Sequence, residues 1–228
     1  MTPSPAELAP FADIHPILGR LYAARDVRSL DEIDHSLGGL RTYEGMRGVE
    51  QAVDLLVGAL RDRASILFVG DFDADGATST AVGMRALAAM GAKRLDHLVP
   101  NRFEYGYGLT PEIVDVAAGR GPDLIITVDN GISSHDGVVR AHEHGIAVIV
   151  TDHHLPPPVL PPADAIVNPN QAGDNSGLGS LAGVGVIFYL MLALRARLRA
   201  ENWFNATPAP NLAQLLDLVA LGTVADVA

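Results

Sequence analysis

Three aliphatic stretches of this chain, Ile66–Val69, Leu124–Val128 and Ile146–Val150, run with almost no polar alternation, and each stops at a turn rich in carboxylates or histidine. A strand with one wet face alternates apolar and polar side chains, whereas unbroken β-branched runs belong to strands covered on both faces, as in a parallel sheet. Helical signals fill the intervals. The first run leads into a helix from about Ala77 to Met90 that Gly91 stops, and a short strand at Leu95–Val99 precedes a glycine-rich turn over Tyr105–Gly108. Thr110 and Pro111 cap and open the next helix, and another covers about His135–His144. This alternation predicts an α/β fold: a doubly wound, mostly parallel sheet with flanking helices. Such sheets bind ligands at the carboxyl ends of their strands, so the three turns are expected to meet in one crevice.

Residues 1–60 carry few strand signals. His15-Pro16-Ile17-Leu18 and Leu21-Tyr22 form an apolar stripe, and Val49, Val53, Leu56, Val57 and Leu60 recur at helical spacing. They read as a helical N-terminal segment ahead of the α/β domain over 61–228. After the third run, Leu155–Pro162 holds five prolines and reads as an extended loop, followed by a short strand at Ala165–Val167. Helices over about Leu181–Ala200 and Asn211–Leu221 follow, separated by Pro208 and Pro210.

With 228 residues, 48% of them hydrophobic, the chain can bury a sizeable core. It has no cysteine, which excludes disulfides and thiolate metal sites and leaves Asp, Glu and His as metal ligands. Its N-terminus lacks the basic-then-apolar order of a signal peptide. The longest apolar run, Val184–Leu194, is shorter than the ~20 residues that cross a bilayer, so no membrane role is expected and the cytoplasm is the expected location. The net charge of −11 opposes phosphate binding unless cations cancel part of it.

The acids are grouped as if for such cations. Side chains two apart on an extended chain point the same way, so Asp71, Asp73 and Asp75 are expected on one face, with Phe72 turned into the core. Val128-Asp129-Asn130-Gly131 fits either a ligand or a helix-capping turn. Asp152-His153-His154 is sharper: adjacent histidines after an acid at a strand end suit metal binding, with Asp152 fixing an imidazole tautomer. Mixed carboxylate and imidazole ligands favour Mn²⁺ over Mg²⁺, and several carboxylates suit two ions ~3.5–4 Å apart, the arrangement of phosphoester hydrolysis. Gly183-Val184-Gly185 starts like a dinucleotide fingerprint, but Phe188 stands where the third glycine belongs, so it reads as close packing at a helix start.

Taken together, these residues resemble the DHH phosphoesterase family, whose naming triplet stands here as Asp152-His153-His154. The longer stretches Gly70–Thr80, Val99–Gly108, Val128–Ser134, Thr151–Pro156, Ser180–Gly185 and Leu216–Val227 resemble its bacterial single-strand-specific exonucleases, and the similarity runs from about Pro16 to the last residues. The resemblance implies metal ligation by Asp73, Asp75, Asp129, His153 and Asp226, with Asp129 central to catalysis and Asp71 behind the ligands. It places His154 beside the scissile phosphate and Arg102 on a nucleotide phosphate, which suits a planar guanidinium fork. The implied activity is 5′-to-3′ exonuclease action on single-stranded DNA in repair and recombination, with two Mn²⁺ (or Mg²⁺) as cofactors. The implied partners are single-stranded DNA and a single-strand-binding protein or helicase. Family members of this kind continue past the last motif, so the chain is expected to be a catalytic core without the C-terminal domains. A hydrolase of short oligonucleotides or cyclic dinucleotides, and a metal-free scaffold on the same fold, remain as alternatives.

Overall fold

The computed structural model describes residues 3–34 and 36–227, the side chains of Leu37 and Arg102 excepted. Two compact units result, Met1–Thr42 and Tyr43–Ala228. In the first, α1 (Pro5–Leu8) begins at a capping box: the Ser4 hydroxyl accepts from the Glu7 amide, and the Glu7 carboxylate accepts from the Ser4 amide. In α2 (Pro16–Ala23), Tyr22 packs on buried Phe11 with ring centroids 5.9 Å apart.

The second unit opens with α3 (Val49–Asp62), whose Val49, Val53, Leu56, Val57 and Leu60 are buried at the spacing the sequence shows. These side chains join the core of the sheet rather than a separate N-terminal segment, so the structure draws its boundary at residue 42 and not near 60. The sheet has five strands, β1 (Ser65–Gly70), β2 (Arg94–Leu98), β3 (Leu124–Val128), β4 (Ala147–Thr151) and β5 (Ala165–Val167), all paired in parallel in the order β2-β1-β3-β4-β5. Between them run α4 (Ala74–Met90), the short α5 (Arg102–Tyr105), α6 (Pro111–Ala118) and α7 (His135–Glu143); α8 (Gly183–Ala200) and α9 (Leu216–Asp226) follow β5.

Strand residues alternate between two cores. Ile66, Phe68, Leu124, Ile126 and Ile149 pack with Leu56 of α3, Leu87 of α4 and Ile187 and Leu190 of α8. Leu67, Val69, Ile125, Val148 and Val150 pack with Ile113 and Val114 of α6 and Val138 of α7. Burial on both faces explains why the strands read as unbroken aliphatic runs. Among the described residues, no helix is long and apolar enough to cross a membrane.

Three expectations need correction. The helix after β1 starts at Ala74, not Ala77, because Asp73 caps it by accepting from the Gly76 amide at 2.9 Å. Strand alternation therefore ends at Gly70, and Phe72 is 51% exposed instead of turned into the core. The final helix also runs on to Asp226, past the expected end at Leu221.

The strand order places the reversal of winding between β1 and β3, where such sheets open a crevice. The side chain of Asn130 ties the two strand ends there, its amide donating to the Val69 and Val128 carbonyls at 3.0 and 2.9 Å.

Candidate metal centre

Asp75 lies in the first turn of α4 with its side chain fully buried. Its two oxygens accept from the backbone amides of Gly183 at 2.6 Å and Val184 at 2.8 Å, donors in the first turn of α8 that the helix itself leaves unused. Free helix N-terminal amides favour a negative charge. Burial still dominates and pushes the Asp75 pKa up, with the two amides pulling against it. Helix α8 can come this close only with glycine at its start, since a Cβ on Gly183 would lie 2.7 Å from Asp129 Cβ. The fingerprint-like Gly183-Val184-Gly185 is thus a packing device.

Asp129 follows β3 in the left-handed region, with φ of 60°, a conformation that Asp tolerates better than most residues. It caps no helix, because α7 begins after Ser134. Its side chain is buried, and burial first, then neighbouring Asp75 and Asp73, push its pKa up to about 7 against the pull of His153. His153 Nε2 lies 3.2 Å from Asp129 Oδ1, 3.8 Å from Asp226 Oδ2 and 3.9 Å from Asp75 Oδ2. The shortest contact is too poorly aligned for a hydrogen bond, so Asp129 Oδ1 and His153 Nε2 are buried with no hydrogen-bond partner. The carboxylate beside it nevertheless holds His153 above the usual imidazole pKa.

Buried polar atoms left orphaned in this way are expensive unless something else satisfies them. A cation would. Three sets of side chains bring one ligand atom each within 4.8 Å of one another: Asp129, His153 and His154; Asp75, His153 and Asp226; and Asp71, Asp73 and Asp129. Asp129 and His153 each belong to two sets; the Asp129 carboxylate, with two oxygens, could serve two ions, whereas His153 would serve one. Asp226 reaches the cluster because α9 crosses α4 at Gly222, where a Cβ would stand 2.4 Å from Thr78 Oγ1 and 3.0 Å from Asp75 Oδ1. All five ligands expected from the sequence therefore converge, and Asp71 faces the cluster with them.

The acid of the Asp152-His153-His154 triplet has a different task. Buried Asp152 accepts through Oδ1 from the His153 and His154 amides at 2.8 and 3.1 Å and lies 2.7 Å from His154 Nδ1. Its Oδ2 accepts from the Ile132 amide at 2.9 Å, joining the loops after β3 and β4. The histidine it fixes is His154, whose pKa it pushes up to about 9. His154 is half exposed, with Nε2 3.5 Å from the Tyr107 hydroxyl.

Three residues at the site go beyond those the sequence singles out. The Tyr107 hydroxyl donates to the Asp129 carbonyl at 3.4 Å. The Asn168 and Asn170 side-chain amides donate to the carbonyls of His154 at 2.9 Å and His153 at 2.5 Å. The only sequence signal for the asparagines is Asn168-Pro169-Asn170 directly after a strand, at the carboxyl end of the parallel sheet like the other turns. The Arg102 side chain lies outside the described residues; its backbone opens α5.

The DHH family, N-terminal domain, matches residues 65–223. The chain belongs to the DHH family. It is 58% identical over 218 residues to the single-stranded-DNA-specific exonuclease RecJ of Escherichia coli (strain K12), covering 95% of this chain and 38% of that protein. To the RecJ of Thermus thermophilus it is 38% identical over 216 residues, 95% of this chain and 30% of the relative. The crystal structure of RecJ from Thermus thermophilus in complex with Mn²⁺ matches all of this chain and 32% of its own, with a TM-score of 0.78 and 32% identity. A crystal structure of exonuclease RecJ bound to manganese matches 80% of this chain and 44% of its own, with a TM-score of 0.69 and 40% identity. The chain thus spans less than two fifths of the length of these curated DHH relatives.

Proposed function

We propose that this chain is the catalytic core of a metal-dependent nuclease that hydrolyses phosphodiester bonds of single-stranded DNA, as a 5′-to-3′ exonuclease in repair and recombination. One observation carries the reading: buried Asp129 Oδ1 and His153 Nε2 have no hydrogen-bond partner, yet four further carboxylates and a second histidine surround them at the switch point of the sheet. The names of the DHH relatives, single-stranded-DNA-specific exonucleases crystallised with manganese, support the substrate and the metal.

Asp73, Asp75, Asp129, His153 and Asp226 would hold two divalent ions, with Asp129 shared between them. The mixed oxygen and nitrogen donors suit Mn²⁺, with Mg²⁺ as the harder alternative. When bound, such ions supply Lewis acidity and lower the pKa of water. The chain's own groups do the rest. Asp152 anchors His154 at Nδ1 and raises its pKa, leaving Nε2 as the ring nitrogen that would meet an incoming phosphate. Arg102, on the turn after β2, is proposed to hold a nucleotide phosphate through its planar fork. Cations at the cluster would also cancel part of the −11 charge that opposes DNA. A single-strand-binding protein or a helicase is the protein partner we propose, and the cytoplasm the location.

Incubation with Mn²⁺ and 5′-labelled single- and double-stranded DNA, with products resolved by size, tests the proposal. Preferential loss of the single strand in small steps from its 5′ end is expected. Inert single strands, or preferential hydrolysis of a cyclic dinucleotide, would overturn it.

A further inference from the structure

The histidine beside the proposed scissile phosphate is anchored on one side by Asp152, and a residue from a different loop meets its other side. Tyr107 sits in the turn between α5 and α6, and that turn is pinned to the loop after β3 by Ser134, whose hydroxyl accepts from the Leu109 amide at 3.0 Å. From there the Tyr107 hydroxyl lies 3.5 Å from His154 Nε2 and 3.4 Å from the Asp129 carbonyl oxygen. The two rings meet edge to face, with centroids 6.1 Å apart. We propose that Tyr107 is a positioning residue: its hydroxyl bridges the Asp129 and His154 loops and fixes the outer nitrogen of the His154 ring, acting on the reaction through that ring.

An imidazole held only at Nδ1 can rock about that contact, and misplacing a reacting group by about 1 Å is worth about a hundredfold in rate. A second contact at Nε2 restricts the rocking. The hydroxyl suits the task in either state of the ring. It donates to a bare Nε2, or accepts from a protonated Nε2 while donating to the Asp129 carbonyl. Its two distances are long for hydrogen bonds, as contacts in resting active sites commonly are before substrate tightens them. Ring packing alone would make the hydroxyl dispensable, and that separates the two accounts.

The inference rests on the nuclease reading, and its test separates the two. Long-range ¹H–¹⁵N spectra of the metal-free protein, with His154→Ala to assign the signal, report the environment of His154 Nε2. Kinetics with Mn²⁺ on a 5′-phosphorylated single-stranded oligonucleotide report the reaction. Tyr107→Phe keeps the ring and deletes the hydroxyl. It should move the His154 Nε2 resonance, leave that of His153 in place, and lower kcat about tenfold with KM within about twofold, the rate equivalent of one hydrogen bond. An unmoved His154 resonance, or a kcat equal to that of the parent, would overturn the role of Tyr107. A moved resonance in a protein whose parent hydrolyses no DNA would uphold the contact and sink the nuclease reading instead.

Discussion

Replacing Asp129 by Asn should stabilise the metal-free protein while destroying its metal centre. The carboxyl is buried, its Oδ1 has no hydrogen-bond partner, and its pKa stands at about 7 against a usual 3.8. At about 1.4 kcal/mol per pH unit, ionising it inside the fold costs up to about 4 kcal/mol above neutral pH. The pull of His153 at 3.2 Å is already contained in that pKa, and burying an Asn amide there without a hydrogen-bond partner takes back about 1–3 kcal/mol. A net gain of about 1–3 kcal/mol is therefore expected for Asp129→Asn at pH 8. Asn retains the left-handed backbone at this position, with φ of 60°, so the substitution adds no new strain. The sign follows from the raised folded-state pKa. The stabilisation that neutral Asp129 provides is complete below its unfolded pKa near 4 and is lost as pH rises through about 7. The advantage of the variant should accordingly open between pH 4 and pH 7 and be small at pH 4. Urea unfolding of both proteins in a chelator, at pH 4.5, 6 and 8, measures it. Adding Mn²⁺ should reverse the order, because only the parent gains stability from binding. If Asp129→Asn were the less stable protein at pH 8 without metal, Asp129 would be a satisfied structural carboxylate and the case for a cation there would fall.

Three further outcomes are expected. Mn²⁺ affinity, measured by titration calorimetry, should rise as pH rises through about 7, because Asp129 must release its proton to bind; a flat profile from pH 5.5 to 8 would contradict this. His154→Ala should lower kcat on single-stranded DNA by about 10²–10⁴-fold while metal stoichiometry, read by elemental analysis, is unchanged; loss of an ion would instead make His154 a ligand. Gly183→Ala should destabilise by about 1–3 kcal/mol in urea and weaken Mn²⁺ binding, since the new Cβ lies 2.7 Å from Asp129 Cβ. Gly185→Ala, whose nearest neighbour is the end of the Leu181 side chain at 2.9 Å, is the milder control, and equal effects would remove the argument from close approach.

Legibility followed the range of the interactions. Strand β3 is readable to the residue, Leu124–Val128, because burial on both faces writes itself as a continuous aliphatic run. Thr110 and Pro111 announce α6 because a cap and a pre-set φ act within one turn. The aspartates after β1 mislead, since Asp-x-Asp-x-Asp alternates like a strand while Asp73 in fact caps a helix that carries Asp75. The packing of α3 cannot be read locally. Leu56 shares a core with Ile187 and Leu190, which lie far along the chain. The roles of Tyr107, Asn168 and Asn170 are hidden for the same reason: each acts on the loop that carries the two histidines, which only the fold brings within reach. Asp226 and Arg102 are named through resemblance alone, and of the two only the Asp226 side chain is placed, 3.8 Å from His153.

The central claim is that buried groups without hydrogen-bond partners at the switch point hold two cations. Anomalous diffraction from crystals of this chain soaked in Mn²⁺ tests it most directly. Two peaks ~3.5–4 Å apart are expected, both within ligand distance of Asp129, with His153 and Asp226 in the shell of at least one. A single peak away from Asp129, or none at a Mn²⁺ concentration that supports hydrolysis, would contradict the account.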